Sequence, residues 1–432
     1  MELELDITAA AHGGHFIARH EGRVIFVRHA LPGERVRARV MENDGDARFW
    51  RADVTDIVVA SADRQKHPWQ LADALAAARD GRTPVGGAEF GHIAPGAARE
   101  IKGDIYRELV TRFAGTDAIA PHLLDSLAAT PMPGEHPDGL GWRTRVGFAV
   151  GEDGRLGMHP HRSNAVIPLT EMPLAAELDP AIFERDYSGF ATVDISLGTL
   201  GDNGYRQASV LGNRPLPPRR GRTRPTPKPP VHLAGSEQLT ETVLGRELTV
   251  SAAGFWQIHR SAPEALAANV REWIDLKAGD TAWDLYAGAG LFTSVLAEAV
   301  GESGTVHAIE GSPVTSANAA ANFAHQPQVN VTRARVDQAL ERHPGRVHAV
   351  VLDPPRSGAG KKVVEQISAS TAEKVVYVSC DPASFARDLA DMRRNGWQVA
   401  DVKLWDMYPN THHMESVTLF TRERPGAARA RH

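Results

Sequence analysis

The chain has 432 residues, 42% of them hydrophobic, a formal net charge of −5 and one cysteine. A single thiol excludes an internal disulfide and cannot by itself ligate a structural zinc or an iron–sulfur cluster, so the chemistry is that of a reducing compartment and a cytoplasmic protein is expected. The acidic balance argues against general affinity for nucleic acid over the whole surface, and no run of about 18 apolar residues offers a membrane span.

The N-terminus carries Glu2, Glu4 and Asp6 and has no basic region ahead of an apolar core, so no signal peptide is expected. Residues 1–60 alternate as short strands do, over Gly22–Val27, Glu34–Val40 and Trp50–Val59, with Leu31-Pro32-Gly33 turning between the first two. Closely spaced strands of this kind predict a small antiparallel barrel, one face of which carries Arg35, Arg37 and Arg39 as either an oligonucleotide contact or a solvated charged face. Residues 61–95 give little pattern, and Ile101, Ile105, Leu109 and Phe113 then repeat at helical spacing. Thr144–Val150 and Arg155–His159 flank Gly151-Glu152-Asp153-Gly154 as a hairpin, and further strands are expected at Ala165–Leu169 and Thr192–Ile195. Residues 61–245 are read as a central α+β region that names no chemistry. Within it, 214–230 is rich in Pro and Arg: Arg214 to Lys228 holds six basic residues, five prolines and no acid. Such a segment is extended, and serves as a linker or as an arm for phosphates.

From about residue 246 the order changes to alternating helices and strands, which predicts an α/β fold with a mostly parallel sheet covered on both faces, ending near residue 424 before a flexible tail at 425–432. The strand Asp280–Tyr286 leads into Ala287-Gly288-Ala289-Gly290, where Gly288 and Gly290 permit a sharp turn and close approach to a ligand. The next strand ends at Glu310, placed to accept hydrogen bonds from ribose hydroxyls. The full Gly-x-Gly-x-x-Gly pattern fails, with Thr at position 293, so a nucleoside without pyrophosphate fits better than a dinucleotide. Ser312-Pro313 caps the following helix. Later strands end at Asp353-Pro354-Pro355-Arg356 and at Ser379-Cys380-Asp381-Pro382, and Tyr408–Glu415 lies between the last two strands. These carboxyl ends open on one crevice, where a lone cysteine changes from a small buried hydrophobe to a candidate nucleophile.

Phe255-Trp256-Gln257-Ile258-His259, Asp284-Leu285-Tyr286-Ala287-Gly288-Ala289-Gly290, Glu310, Asp353-Pro354-Pro355-Arg356, Ser379-Cys380-Asp381-Pro382 and His413-Met414-Glu415-Ser416, in this order, resemble the RNA 5-methyluridine methyltransferases of the TrmA/RumA type. The resemblance covers roughly residues 235–424. It extends to residues 1–60, which look like that family's TRAM barrel, and to Arg155-Leu156-Gly157 with Arg162-Ser163, which look like part of its central RNA-binding domain.

The resemblance implies a Rossmann-like class I methyltransferase domain, S-adenosyl-L-methionine as cofactor, a tRNA or rRNA partner and a monomer. It assigns Gln257, Tyr286, Gly288, Gly290, Glu310 and Asp353 to the cofactor, Cys380 to the nucleophile and Glu415 to the base. Taken singly, Tyr286 reads as a core aromatic, Asp353 as a turn residue and Glu415 as a strand-edge charge.

The residue types suit the chemistry. Carbon 5 of uracil is too weak a nucleophile to take a methyl group until a thiolate adds to carbon 6, and a base must afterwards remove the carbon 5 proton. The target uridine must also be flipped out of its stack.

Three departures from the family pattern stand out. Leu291 occupies a position where many relatives carry Asn. Asp381 replaces a frequent Asn and adds a charge that raises a neighbouring thiol's pKa. The four cluster cysteines of the longer relatives are missing, with Ala88 where a ligand falls in Gly86–His92, so no iron–sulfur cluster is expected. Two other readings are a methyltransferase acting on a different base or substrate, which Arg356 after Asp-Pro-Pro disfavours for amino groups, and a noncatalytic RNA-binding protein.

Overall fold

The computed structural model describes residues 1–42, 48–125, 127–200, 206–216, 228–342 and 346–422. Most of the Pro/Arg-rich segment and the C-terminal tail lie outside the described residues.

Strands β1 (Glu2–Ala11), β2 (His15–His20), β3 (Arg23–Arg28), β4 (Arg35–Glu42) and β5 (Phe49–Val59) close a barrel in the order β1-β2-β3-β5-β4. Period-two alternation sends Leu5, Ile7, Phe16, Ile25, Val27, Val36 and Val54 inward. Arg35, Arg37 and Arg39 do share the outer face. Two of them are ion-paired on the barrel surface, Arg35 with Asp6 at 2.9 Å and Arg37 with Asp56 at 3.3 Å.

Helices α1 (Ala74–Arg79), α2 (Pro95–Ala114) and α3 (Pro121–Leu124) follow. Ile101, Ile105 and Leu109 of α2 are buried as their spacing requires, whereas Phe113, one turn further, is 40% exposed. The helix packs against the C-terminal helix over Pro382–Arg394 and shares its apolar cluster, and the short strand β6 (Thr130–Pro131) joins the large sheet, so both leave the central region.

Strands β7 (Arg145–Val150), β8 (Leu156–Met158), β9 (Ile167–Pro168), β10 (Thr192–Leu200), β11 (Arg206–Asn213) and β12 (Val231–Gly235) form an antiparallel sheet in the order β12-β11-β10-β7-β8-β9. The β7–β8 hairpin turns at Gly151–Gly154, where the Gly151 N–H donates to the Arg155 carbonyl at 2.8 Å. Strands β13 (Gln238–Val243) and β14 (Arg246–Ser251) make a separate ribbon.

The C-terminal part runs α4 (Ala262–Ile274), β15 (Thr281–Leu285), α5 (Leu291–Val300), β16 (Thr305–Glu310), α6 (Pro313–Asn322), β17 (Val329–Arg333), α7 (Val336–Leu340), β18 (Ala349–Leu352), α8 (Lys361–Ala369), β19 (Lys374–Ser379), α9 (Pro382–Arg394), β20 (Gln398–Asp406) and β21 (Glu415–Thr421). Its sheet order is β17-β16-β15-β18-β19-β21-β20-β6, with β21 antiparallel to both of its neighbours. The central strands are buried on both faces, which is why they read as near-continuous apolar runs. One apolar cluster runs from the barrel through α2 to one face of this sheet, and a second fills the other face under α4 and α5. Strand order reverses between β15 and β18, which places the ligand crevice at their carboxyl ends.

Candidate active site

A cavity of about 920 Å³ occupies that position. Gln257, Tyr286, Gly288, Glu310, Asp353, Cys380 and Glu415 all line it, together with Arg356, Tyr408 and the exposed ring of Phe255.

Gly290 does not line the cavity. It adopts φ +104°, and a Cβ there would lie 2.2 Å from Phe323 Cε2, so this glycine is required for packing α5 against the Phe323 ring. Gly288, at φ +58°, has open space where its side chain would be, and there the backbone borders the cavity directly. Tyr286 between them and β15 has φ +64°, a left-handed conformation uncommon outside glycine and typical of ligand-binding turns.

The Glu310 carboxylate fixes this turn by accepting from the Gly288 N–H at 2.8 Å and the Ser312 N–H at 2.6 Å. Ser312 in turn caps α6. Two further carboxyls stand behind the turn. Asp284, fully buried, accepts from the Thr293 hydroxyl at 2.5 Å, and burial pushes it up to about 7. Asp353 accepts from the Gln257 amide at 3.1 Å and is pushed up to about 7 by burial and by the charge of Asp284. The open cradle at Gly288, the acid at the tip of β16, the aromatic walls and the carboxyl–amide pair fit a nucleoside bearing a cationic centre, as S-adenosyl-L-methionine does.

Cys380 follows the last residue of β19 and Glu415 opens β21. Ser379 and Ser416 are register partners across this antiparallel pair, so the thiol and the carboxyl meet at one sheet edge. The Cys380 thiol is pushed up to about 12 by burial, then by the neighbouring Glu415 and Asp353 charges, with Arg356 opposing. Glu415 is 2% exposed and is raised well above the usual carboxylate range by burial and by Asp353. Its Oε2 accepts from the Tyr408 hydroxyl at 3.1 Å.

Asp381 is the N-cap of α9. It accepts from the Ser384 N–H at 2.7 Å and lies 3.5 Å from His12 Nε2 on the turn between β1 and β2, so the barrel touches the residue beside Cys380. Its charge is one of the contributions that raise the thiol, though the smallest of them. Leu291 opens α5 and presents an apolar contact to the cavity. Ala88 is buried, with its carbonyl 2.9 Å from His67 Nε2.

Sequence reasoning quoted Tyr408 without giving it a role. Its only signal was its place seven residues before Glu415 in a loop joining two strands of the site.

Strand order, glycine turn and the thiol–carboxyl edge define a class I methyltransferase domain preceded by a small β-barrel. Family models agree. Residues 262–423 match the tRNA (Uracil-5-)-methyltransferase model, and residues 1–44 match the TRAM domain. An uncharacterised RNA methyltransferase of Streptomyces avermitilis is 38% identical over 97% of this chain and 98% of its own length. The 23S rRNA (uracil(1939)-C(5))-methyltransferase RlmD of Shewanella piezotolerans is 27% identical over 97% of this chain and 95% of its own. The crystal structure of the Pyrococcus abyssi tRNA (uracil-54, C5)-methyltransferase, solved with S-adenosyl-L-homocysteine, superposes with a TM-score of 0.68 at 18% identity, covering 97% of this chain and all of that one. The chain belongs to the RNA (uracil-5-)-methyltransferase family.

Proposed function

We propose that the protein methylates carbon 5 of a uridine in RNA with S-adenosyl-L-methionine, that Cys380 forms a transient bond to carbon 6, and that Glu415 removes the carbon 5 proton. The observation that carries this reading is the meeting of Cys380 and Glu415, on register-paired strand ends, in the wall of the cavity that Gly288, Glu310 and Asp353 also line.

Bound S-adenosyl-L-methionine supplies an electrophilic methyl group. Gln257, Asp353, Glu310 and the Gly288 backbone bind and orient it, and Phe255 with Tyr286 screens it from water. Cys380 reacts as its thiolate, its proton passing to solvent, and the sulfur adds to carbon 6 as the carbon 5–carbon 6 π pair shifts toward carbon 5 and the ring carbonyl oxygen. Arg356, which lowers the thiol's proton affinity, favours that thiolate. Once carbon 5 has taken the methyl group, with the bonding pair left on sulfur in S-adenosyl-L-homocysteine, the Glu415 carboxylate takes the proton there. The carbon–hydrogen pair becomes the ring double bond, and the carbon–sulfur bond breaks with its pair returning to sulfur.

RNA carrying 5-fluorouridine at the target position, incubated with the methyl donor, tests the covalent step. A protein–RNA complex that survives denaturation and is lost in Cys380→Ala, with RNA binding kept, supports it. Full methylation by Cys380→Ala rejects it. Supplying tRNA and rRNA separately, then mapping the methylated uridine, identifies the substrate.

A further inference from the structure

Tyr408 is held from both ends. Its backbone carbonyl accepts from Lys102 Nζ at 3.2 Å, from the Thr411 hydroxyl at 2.8 Å and from the Thr411 N–H at 3.1 Å. Its ring stands edge-on between Trp142 and His413, with centroids 6.1 and 5.8 Å away. Only its hydroxyl direction is left to choose, and that donates to Glu415 Oε2. Oε1, also buried, makes no hydrogen bond among the described residues. One carboxyl oxygen is therefore fixed to the protein and the other is left for chemistry in the cavity.

We propose that Tyr408 is a positioning residue for the proton-removal step, holding Glu415 Oε2 so that Oε1 faces the methylated carbon 5 and stabilising the ionised carboxylate that must accept the proton. The inference rests on Glu415 being the base. Two observations bear on the charge state. Burial and Asp353 push Glu415 toward its neutral form, and the Tyr408 hydroxyl together with Arg356 opposes them. Tyr408 itself is raised well above the ordinary tyrosine value by burial and by Glu415, so it remains a donor and gives up no proton. In the step, the carbon 5 proton moves to Oε1, the double bond re-forms and sulfur leaves. The tyrosine proton stays on oxygen throughout.

Tyr408→Phe keeps the ring contacts and removes one hydroxyl. In single-turnover reactions with the RNA substrate and methyl donor, adduct formation and cofactor binding stay within about twofold of wild type, since neither uses the base. Release of methylated RNA slows by about 10- to 100-fold, the usual effect of losing a hydrogen bond to a charged group. The methylated covalent complex then accumulates on a denaturing gel, and the pH profile of release shifts to higher pH because the carboxylate becomes harder to ionise. Release at the wild-type rate, or a slowing of adduct formation and release together without a shift of the profile, overturns the proposal. Glu415→Gln separates the two readings. If that variant releases product normally, Glu415 is not the base. If it stalls as the covalent complex while Tyr408→Phe behaves as wild type, only the role of Tyr408 fails.

Discussion

Asp406→Asn tests whether the loop between β20 and β21 is anchored by a buried charge pair. Lys102 and Asp406 are 1% and 3% exposed at their side chains, and Nζ lies 2.5 Å from Oδ1. Arg99 supports the same carboxylate at 3.3 Å and also pairs with Glu135 at 2.6 Å. Neutralising Asp406 leaves Arg99 with Glu135 and with 22% of its side chain in solvent. Lys102 has no such escape and keeps only neutral acceptors, the Tyr408 carbonyl and the new amide oxygen, with no opposite charge. Breaking a buried pair from one side in this way costs about 3–5 kcal/mol. With a slope of about 2–3 kcal/mol per molar urea, the unfolding midpoint followed by tryptophan fluorescence falls by about 1–2.5 M. Replacing both partners, Lys102→Met with Asp406→Leu, removes the orphaned charge and recovers most of that loss. A midpoint within about 0.3 M of wild type for Asp406→Asn, or a double variant less stable than the single, refutes the reasoning.

Gly290→Ala and Gly288→Ala separate packing from ligand contact. The first meets the Phe323 ring and is destabilised by about 2–4 kcal/mol in thermal unfolding, whereas the second costs about 1 kcal/mol and instead weakens binding of S-adenosyl-L-homocysteine; the reverse order contradicts the assignment. With the Cys380 thiol raised to about 12, alkylation of the ligand-free protein by iodoacetamide rises with pH beyond the range of an ordinary cysteine. Asp381→Asn retains a competent helix cap and speeds that alkylation, and a rate that levels off near the ordinary cysteine pKa of about 8.5 removes the premise.

Much of the C-terminal fold was legible because strands buried on both faces announce themselves locally. The strands expected to end at Asp353 and at Ser379-Cys380 are β18 and β19, and Tyr408–Glu415 runs from the loop between β20 and β21 to the start of β21. Non-local pairing was not legible. The barrel needs β1 and β2, whose sequences are short on the β-branched runs that marked the other strands, and β3 pairs with β5 in parallel across the chain. Thr130–Pro131 is too short to carry a period at all, yet it extends the large sheet beside Trp405 and Asp406. At the site, the order of motifs brought seven of eight residues to one cavity. Gly290 stands apart, packed on the Phe323 ring, because a glycine near a ligand and a glycine under an aromatic ring look alike in sequence. Tyr408 was passed over because a hydroxyl reaching Glu415 depends on loop geometry, and no spacing rule encodes it.

Asp284 and Asp353 belong to the same electrostatic arrangement: burial raises both, with the charge of Glu310 adding to Asp284 and that of Asp284 adding to Asp353. A carboxyl with a value of about 7 is partly protonated at neutral pH, and a cation placed nearby favours its ionised form. A sulfonium therefore binds better as pH rises toward and through that value, releases protons as it binds, and gains little more once both carboxyls are ionised. S-Adenosyl-L-homocysteine is identical except that its sulfur is neutral, so its affinity has the shallower slope. Calorimetric titration in two buffers of different ionisation enthalpy, at pH values from about 6 to about 8, measures proton release for each ligand. Equal proton release for the two, or affinity for the cationic ligand that does not change over that interval, would mean that these carboxyls do not face the methyl donor's charge. Retaining two costly buried acids beside the glycine turn is then without a binding rationale, and the cofactor's charged centre must be sought elsewhere in the cavity.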